Sequence, residues 1–440
     1  MRRPRLIAAL ALLVALPAAA QPAAPDRRAE YEAAFQDTLK NPSDPETAFR
    51  FARLAVRVGD IRGAISALER LLLLDADQPN VKLELGVLYA RLGSLEAARG
   101  YLESAKASGR ADAATRHRAD QVLADIDDRT RRSHFSGEVL GGLGYSNNAN
   151  SGPAGLIQSF GVNAVPTPDV SRQPDFNAVA AATLRHRYDL GRQDMGTLES
   201  VLEFYTTHQF QVSQANVLLL DFTTGPRTSP FESGLLDDMT LRPFLTGRYI
   251  AVQDMAYYWA WGGGAEIAAP LGKSVNATVT GLARRRDYLN NPTVPTNTDS
   301  TGVEGTLTAE VDIQLTPSMT LGVTGVYSRY WALTPAQAYS AFGFGSSLEV
   351  RFDAPIGAPH LWTVTASAGI ARALYDQPDP TVDSLIGRIQ TDLSLGLVLS
   401  VPLTDAIAFV GQVNYFQRTA SLSTYAYDAL SSLVGIGMRF

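Results

Sequence analysis

The chain ends with the stretch Ser432-Leu433-Val434-Gly435-Ile436-Gly437-Met438-Arg439-Phe440. Val434, Ile436, Met438 and Phe440 alternate with small or polar residues, and this period of two indicates a β-strand with one apolar face. In a soluble sheet, an apolar terminal strand would be an exposed edge that promotes aggregation. The pattern therefore favours the closing strand of a membrane β-barrel whose apolar face contacts lipid, with a core strand of a soluble sheet as the alternative.

The other end of the chain has the pattern of a secretory signal peptide, residues 1–20. Residues 1–5 are basic, 6–16 are apolar and 17–20 are small, so we expect cleavage before Gln21. The apolar run is too short for a membrane anchor. No later window of 18 or more apolar residues follows, so we expect no transmembrane helix in the mature chain.

Composition excludes several classes of protein. The formal net charge of -6 and the pI near 5.5 argue against a nucleic-acid partner. The chain has no cysteine, which excludes disulfides, thiolate metal sites, a cysteine nucleophile and a lipoprotein anchor. No Ser-His-Asp constellation or paired histidine spacing is visible, so we expect no enzyme, no metal and no cofactor.

Residues 26–132 show a helical period and an internal repeat. The segments 45–78 and 79–112 align without gaps at a spacing of 34 residues, and they resemble the tetratricopeptide repeat. In such repeats, small residues let two antiparallel helices approach, and a glycine turns the chain between them. The positions predicted to support this packing are Ala52, Gly59, Ala64, Leu85, Gly86, Tyr89, Gly93, Ala98, Leu102 and Ala105.

Helices at about 27–40 and 113–131 are predicted to cap this pair of repeats, because isolated repeats cannot bury their own faces. The resemblance implies a concave surface for a peptide or protein partner. We expect a client to contact the face of Lys82 or that of Tyr89. A spacer, or a plug against a barrel mouth, is the alternative role.

From His134 to the end of the chain the period is two, which predicts a barrel over residues 134–440. Each predicted strand is long enough to cross a bilayer at a tilt, which needs ~9–11 residues, and an even strand count fits a bacterial barrel. The fourteen predicted strands are 134–146, 175–189, 196–208, 214–223, 239–250, 256–267, 273–287, 301–315, 318–331, 340–353, 360–374, 386–401, 405–418 and 430–440.

Connection lengths support an outer-membrane barrel, in which short periplasmic turns alternate with longer outer loops. The short links are 190–195, 268–272, 316–317, 354–359 and 402–404, and the long links are 147–174, 288–300, 375–385 and 419–429. The link 224–238 departs from this pattern, because it is long where a short turn is expected. It is interpreted as a small plug or a miscounted strand.

Within these strands, apolar residues occupy one face and polar residues the other, and we expect the polar face to line a water-filled lumen. Opposed charges on neighbouring strands are expected to pair and to set a transverse field, or only to hold the wall in shape. The predicted lumen charges are Arg185, Arg187, Glu199, Glu203, Arg242, Arg248, Glu266, Arg284, Arg286, Glu304, Glu310, Asp312, Glu349, Arg351 and Asp353.

The order of signal peptide, tetratricopeptide region and fourteen-strand barrel resembles the surface lipoprotein assembly modulator family. The segments 135–150, 220–227 and 241–244 are similar to parts of that family's barrels. The resemblance implies movement of a lipoprotein or another polypeptide across the outer membrane of a Gram-negative bacterium. Exporters of exopolysaccharide share the same two-part plan.

The sequence thus predicts an outer-membrane translocation protein whose periplasmic repeats capture a client protein or lipoprotein. A polysaccharide or small-solute channel, and a structural outer-membrane protein whose repeats bind partners, are the alternatives. Further expected partners are outer-membrane lipid, lipopolysaccharide, and the barrel-assembly machinery, whose recognition signal the terminal Phe440 resembles. A contact between Arg285 and lipopolysaccharide phosphate is expected from charge, with snorkelling of the side chain towards water as the equal alternative.

Overall fold

The computed structural model describes residues 27–153, 155–191, 196–230, 238–292, 294–355, 357 and 360–440. The predicted signal peptide lies outside the described residues. The chain divides between Arg131 and Arg132 into two units, one helical and one made of strands. The predicted fold class, a tetratricopeptide-like helical region followed by a fourteen-strand antiparallel barrel, is confirmed.

Six helices occur in the described part of the first unit, residues 27–131, and their ends follow from local sequence signals. Asp44, Asp60 and Asp112 are N-caps whose carboxylates accept backbone N–H bonds, and Gly59 ends the second helix with a φ of 90°. Among the described residues, no helix has the length and apolar character needed to cross a bilayer. The helices are α1 Arg27–Lys40, α2 Pro45–Val58, α3 Ile61–Leu74, α4 Pro79–Arg91, α5 Leu95–Ala107 and α6 Ala113–Thr130.

The helices pack as successive antiparallel pairs around buried small and aliphatic residues. Leu68, Leu85 and Leu102 are fully buried. At Gly86 the helices α4 and α5 approach so closely that a Cβ atom would lie 2.5 Å from Cγ of Leu102. The fit of Leu102 against a glycine therefore fixes the distance between these two helices.

Sixteen strands occur in the second unit as the structure describes it. Fourteen of them form one closed antiparallel barrel, and β2 and β3 form a separate hairpin within the link 147–174. The strands are β1 Ser133–Ser146, β2 Ile157–Ser159, β3 Val162–Ala164, β4 Asp175–Asp189, β5 Thr197–Gln209, β6 Val217–Arg227, β7 Thr240–Val252, β8 Met255–Pro270, β9 Val275–Tyr288, β10 Gly302–Thr316, β11 Met319–Ala332, β12 Tyr339–Phe352, β13 Trp362–Tyr375, β14 Ile389–Pro402, β15 Ile407–Ala420 and β16 Tyr427–Arg439.

The barrel closes between its first and last strands. Glu138 on β1 lies opposite Arg439 on β16, and Gly137 and Phe440 exchange two backbone hydrogen bonds of 2.9 and 3.0 Å. Closure leaves no free sheet edge in the barrel. The barrel has a short-turn end, with links such as 271–274, 317–318 and 403–406, and a long-loop end, with links such as 147–174, 289–301 and 376–388.

The predicted boundaries were wrong at β6, which runs to Arg227 rather than ending at residue 223. A Gly-Pro pair such as Gly225-Pro226 is typical of the end of a strand. Here β6 continues because its pairing with β7 is already interrupted between Thr224 and an isolated bridge at Thr228. The missing N–H of Pro226 is tolerated because no partner on β7 requires it. The predicted link 224–238 thus becomes 228–239, and its residues 231–237 lie outside the described part.

Candidate functional site

The exterior face of the barrel is apolar. On β16, Val434, Ile436 and Met438 keep about half of their surface exposed, and on β10, Val303 and Leu307 do the same. Continuous rows of exposed aliphatic side chains around a closed barrel need an apolar surrounding. Lipid provides such a surrounding.

Aromatic side chains on this exterior face gather near both ends of the strands. Near the short-turn end, Phe135 and Phe440 are exposed. Near the long-loop end, Trp259, Trp261 and Trp331 are exposed. Two aromatic girdles that flank an apolar band are the arrangement found in outer-membrane-type barrels.

The polar face lines the interior of the barrel. Arg227 on β6 and Glu266 on β8 join Nη2 to Oε1 at 2.6 Å across the intervening β7. Side chains of non-neighbouring strands meet in this way on the concave side of a curved sheet, so this face is the lumen. The register places on it the predicted charges Arg185, Arg187, Glu199, Glu203, Arg242, Arg248, Glu266, Arg284, Arg286, Glu304, Glu310, Asp312, Glu349 and Arg351.

One predicted lumen charge lies elsewhere. Asp353 was expected within a strand covering 340–353, but β12 ends at Phe352. Asp353 therefore belongs to the link at the short-turn end, outside the strands that form the lumen wall.

A first cluster of lumen charges, the lower cluster, lies near the short-turn end and consists of Glu199, Arg227, Arg242 and Glu266. Arg227 Nε lies 2.9 Å from Glu199 Oε2, and Arg242 Nη1 lies 3.4 Å from Glu266 Oε2. Arg242 Nε is also 3.6 Å from Glu199 Oε2. Two arginines and two glutamates on four consecutive strands thus neutralise each other and tie the strands together.

A second cluster, the upper cluster, lies nearer the long-loop end and consists of Asp221, Arg248, Arg284, Arg286 and Glu304. Arg284 Nε lies 2.6 Å from Glu304 Oε2, and Arg284 Nη1 lies 3.8 Å from Asp221 Oδ2. Arg286 also pairs with Glu304, and Arg248 with Asp221. The side chains of Arg284 and Glu304 are only 8% exposed, so removing Arg284 would take one of two arginines from each of two buried carboxylates, Glu304 and Asp221.

In both clusters acids and bases alternate on the same stretch of wall, from β5 to β10. The predicted transverse field needs acids and bases on opposite sides of the lumen, and these paired residues have no such separation. Ion pairs are not found within the described residues for Arg187, Glu203, Glu310 and Asp312. Those four remain predicted lumen charges without an observed role.

Sequence reasoning missed two members of these clusters, Asp221 and Arg227. Asp221 shares the period-two face of its own predicted strand, so alternation could have identified it. Arg227 was excluded because the predicted strand stopped at residue 223. Outside these clusters, Arg418, which the sequence did not single out, joins β15 to Asp392 on β14 with contacts of 2.6 and 2.7 Å.

Tyrosines form a row on the lumen face near the long-loop end. The ring centroids of Tyr330 and Tyr339 lie 5.6 Å apart, and those of Tyr339 and Tyr375 lie 5.2 Å apart. Two guanidinium groups lie over these rings, Arg286 at 5.0 Å from Tyr330 and Arg388 at 4.3 Å from Tyr375. The row presents aromatic and hydrogen-bonding groups at the same height on β11, β12 and β13.

The hairpin β2–β3 is fastened to two other loops at the long-loop end. The Gln158 backbone donates to Thr424 Oγ1 at 2.7 Å, and its side-chain amide donates to Asp383 Oδ2 at 2.8 Å. Gly161 N donates to the Val382 carbonyl at 2.8 Å. These bonds join the link after β1 to the links before β14 and β16.

In the helical unit, α2, α4 and α6 line a concave cavity of about 460 Å³, hereafter the helical groove. Its wall combines apolar side chains with four arginines and one glutamate. The lining residues are Phe49, Ala52, Arg53, Val56, Arg57, Leu68, Glu84, Val87, Leu88, Arg91 and Arg118. Arg118 pairs with Glu84 at 2.8 Å, which leaves three arginines on the wall without a matching carboxylate among the described residues.

The predicted packing residues of the repeats lie mostly in the core. Leu85, Ala98 and Leu102 are fully buried, while Gly93 is exposed with a φ of 79°. Also buried are Ala52, Ala64, Gly86 and Ala105, and Gly59 is an exposed turn residue.

Tyr89 is not among the residues that line the groove, and the expectation that a client contacts it remains a prediction. Its hydroxyl donates to Glu69 Oε1 at 2.7 Å, and its ring stacks on Tyr101 at 5.4 Å. The hydrogen bond to the Glu69 carboxylate raises the pKa of Tyr89 to about 12. Lys82 is also directed to a local partner, Asp77, at 3.7 Å.

Comparison with known proteins identifies the helical unit. The family profile described as Tetratricopeptide repeat matches residues 49–113, so this region is a tetratricopeptide repeat region. Such repeats present extended surfaces to protein partners. A search of curated protein sequences gives no match to the chain.

Solved structures give distant matches. The anion-selective porin from Comamonas acidovorans is 9% identical, with 70% of this chain and 99% of the porin covered and a TM-score of 0.36. A bacterial polysaccharide outer membrane secretin is 8% identical, with 69% and 98% covered and a TM-score of 0.35. PcrH from Pseudomonas aeruginosa is 16% identical, with 25% and 98% covered and a TM-score of 0.19. None of these likenesses indicates what this chain binds or transports.

Proposed function

We propose that this chain is an outer-membrane translocation protein. Its tetratricopeptide unit captures a secreted polypeptide or lipoprotein, and its barrel moves that client through the membrane or displays it. The observation that supports this function is the union, in one chain, of an open helical groove and a closed barrel with an apolar exterior and a charged lumen. One polypeptide then holds both the groove that captures the client and the barrel through which the client passes.

The proposed location is the outer membrane of a Gram-negative bacterium, with the helical unit in the periplasm. β1 begins and β16 ends at the short-turn end, and short turns face the periplasm in barrels of this kind. The helical unit directly precedes β1, so it is delivered to the same compartment. The export signal expected from residues 1–20 agrees with this location.

The finer proposal is a function like that of the surface lipoprotein assembly modulator family, which the sequence resembles. Phe440, exposed at the end of β16, is proposed as the residue that the barrel-assembly machinery reads. Arg285 faces the exterior near the long-loop end and pairs with Asp287 at 2.7 Å, where lipopolysaccharide phosphates would lie. We assign the chain no enzymatic reaction and no cofactor.

A saccharide conduit is the second candidate function. The observation that favours it is the row of lumen tyrosines, including Tyr330, Tyr339 and Tyr375, because aromatic faces and hydroxyl groups can contact sugar rings. Arg286 and Arg388 already lie over these rings. The row has a structural use in joining strands, and for this reason we rank the conduit second.

Photocrosslinking in cells tests the proposed function directly. A photoreactive amino acid replaces Val87 in the helical groove, and the same replacement at Leu73, which is 86% exposed on α3 outside the groove, serves as control. We expect a crosslinked polypeptide at position 87 and none at 73. Equal crosslinking at both positions, or none at 87, would contradict capture in the groove.

A further inference from the structure

We infer that the helical groove binds an extended polypeptide segment that combines carboxylates with apolar side chains. This inference rests on the proposed function and specifies the chemistry of the client. It follows from the charges that the groove leaves unmatched, from its apolar lining and from its size.

The positive charge of the groove is local. Residues 27–131 contain 17 Lys and Arg and 17 Asp and Glu, so the helical unit as a whole has no excess of either sign. The groove wall nevertheless holds four arginines and only one acid, Glu84. A concave surface with one sign of charge concentrates the opposite charge near it.

Several arginines elsewhere on this unit pair with carboxylates. Arg50 pairs with Asp37 at 2.5 Å, Arg99 with Asp127 at 2.6 Å, and Arg110 with Asp75 at 2.7 Å. Within the described part of the unit, no ion pair is formed by the groove residues Arg53, Arg57 and Arg91, and the same holds for Arg62, Arg70 and Arg116 outside the groove, but only the first three share one concave surface. Three guanidinium groups on one concave wall are therefore available to an incoming carboxylate, which guanidinium binds in a two-pronged geometry.

The spacing of these arginines suits an extended segment. Arg53 and Arg57 are one helical turn apart on α2, about 6 Å along its axis at 1.5 Å per residue, and Arg91 is on α4, another helix that lines the groove. In an extended peptide, every second side chain points the same way, at intervals of about 7 Å. Alternate acidic residues of such a segment can therefore reach Arg53 and Arg57 together.

The apolar lining excludes a purely charged ligand as the best fit. Phe49, Val56, Val87 and Leu88 separate the arginines, and burying them requires apolar groups on the ligand. An acidic polysaccharide offers carboxylates but few apolar side chains. A polypeptide offers both, and a cavity of about 460 Å³ accommodates only a short part of it.

Fluorescence anisotropy on the full-length protein in neutral detergent tests this inference. The probe is a labelled twelve-residue peptide of alternating Glu, Asp, Leu and Phe, blocked at both ends so that only side-chain carboxylates are available. The comparison probe has Gln and Asn in place of Glu and Asp. We expect the acidic probe to bind at least about tenfold more tightly, with an affinity that falls as salt increases.

Three variants separate local from general charge effects. The triple variant Arg53→Gln, Arg57→Gln and Arg91→Gln should weaken binding of the acidic probe about tenfold or more. A matched variant, Arg62→Gln, Arg70→Gln and Arg116→Gln, removes the same charge outside the groove lining and should leave binding unchanged. The single variant Glu84→Gln frees Arg118 from its pair and should tighten binding of the acidic probe. Misfolding would weaken binding, so a gain in affinity cannot be caused by misfolding.

Equal binding of the two peptides, or equal losses in the two triple variants, would overturn the acidic chemistry. Tighter binding of polygalacturonate than of the peptide would overturn the choice of a polypeptide. Crosslinking of a polypeptide at position 87 together with equal binding of both probes would leave the proposed function standing and remove only this inference. Selective binding of the acidic probe with no crosslinked polypeptide in cells would support the acidic chemistry of the groove and contradict the proposed capture of a client.

Discussion

Arg284 on β9 lies 3.8 Å from Asp221 on β6, although β7 and β8 separate these strands in the barrel. Such a contact requires a strongly curved wall and neighbours small enough to leave space. Gly262 on β8 meets this need, since a Cβ atom there would lie 2.5 Å from Cα of Arg284. The upper cluster is thus a cross-brace within the lumen wall, in addition to the backbone ladder.

Removing Arg284 should destabilise the barrel. The variant Arg284→Met leaves Glu304 and Asp221 each with one arginine, and we expect a loss of about 2–3 kcal/mol in the free energy of unfolding. Urea unfolding in lipid vesicles measures it. Arg351→Met is the matched control in the lumen, because the pair of Arg351 and Glu349 is far more exposed and is expected to contribute less than about 1 kcal/mol. Equal losses would refute the cross-brace.

The contact between Gly86 and Leu102 predicts a steric effect in the helical unit. Gly86→Ala places a methyl group against a fully buried leucine, and we expect a loss of about 1–3 kcal/mol. Gly100→Ala on α5 meets nothing within 4 Å and should instead stabilise its helix by about 0.5–1 kcal/mol. Circular dichroism at 222 nm during urea unfolding of the full chain distinguishes the two. If Gly86→Ala is neutral, the packing described for α4 and α5 is wrong.

The hydrogen bond between Tyr89 and Glu69 predicts a pH dependence. Because it raises the pKa of Tyr89 from the usual value near 10 to about 12, the folded state holds this proton more tightly than the unfolded state. Its contribution to stability is complete below about pH 10 and is lost as the pH rises towards 12.

The measurement is helical circular dichroism against pH at a fixed urea concentration near the midpoint. Tyr89→Phe should lose less stability than wild type between about pH 10 and 12. Glu69→Gln should also lose less, because it removes the largest cause of the raised pKa of Tyr89 and one cause of the raised pKa of Tyr101. The other tyrosines remain in both variants, so the pH dependence of the variants gives the loss of stability that does not come from the bond between Tyr89 and Glu69. Identical curves for all three proteins would exclude the predicted linkage.

Phe440 is expected to matter for assembly rather than for strand pairing. Phe440→Ala keeps both backbone hydrogen bonds to Gly137 but removes the terminal ring. The amount of heat-modifiable protein in the outer membrane should fall several-fold, while Phe440→Trp keeps an aromatic ring and should assemble normally. Unchanged assembly of the alanine variant would argue against its role as a recognition signal.

Period-two alternation was sufficient to predict the barrel because, within each strand, polar residues face the lumen and apolar residues face outward. On β10, Glu304 and Glu310 face the lumen and Leu307 faces outward, as the sequence indicates. The same rule could not reveal the contact of Arg284 with Asp221, since it depends on curvature across four strands. Alternation also did not predict the hairpin β2–β3, because strands of three residues are too short to show a two-residue period.

The helical groove shows the same limit. The repeat identified which residues pack, such as Ala52 and Leu85, because packing positions recur along the chain. Arg53 and Arg57 received no special weight, since arginines one turn apart are usual on a solvated helix face. These arginines line a groove only because α4 and α6 contribute residues to the same cavity, which is a property of tertiary structure.

The account depends most on a sheet whose apolar face meets lipid and whose polar face meets enclosed water. The chain has no cysteine, so single cysteines can be placed along β10 at residues 306–311 and spin-labelled in lipid vesicles. Labels at 307, 309 and 311 should be relaxed preferentially by oxygen, and labels at 306, 308 and 310 by a water-soluble nickel complex. The absence of this alternation, or its reversal, would contradict the transmembrane barrel and the export function built on it.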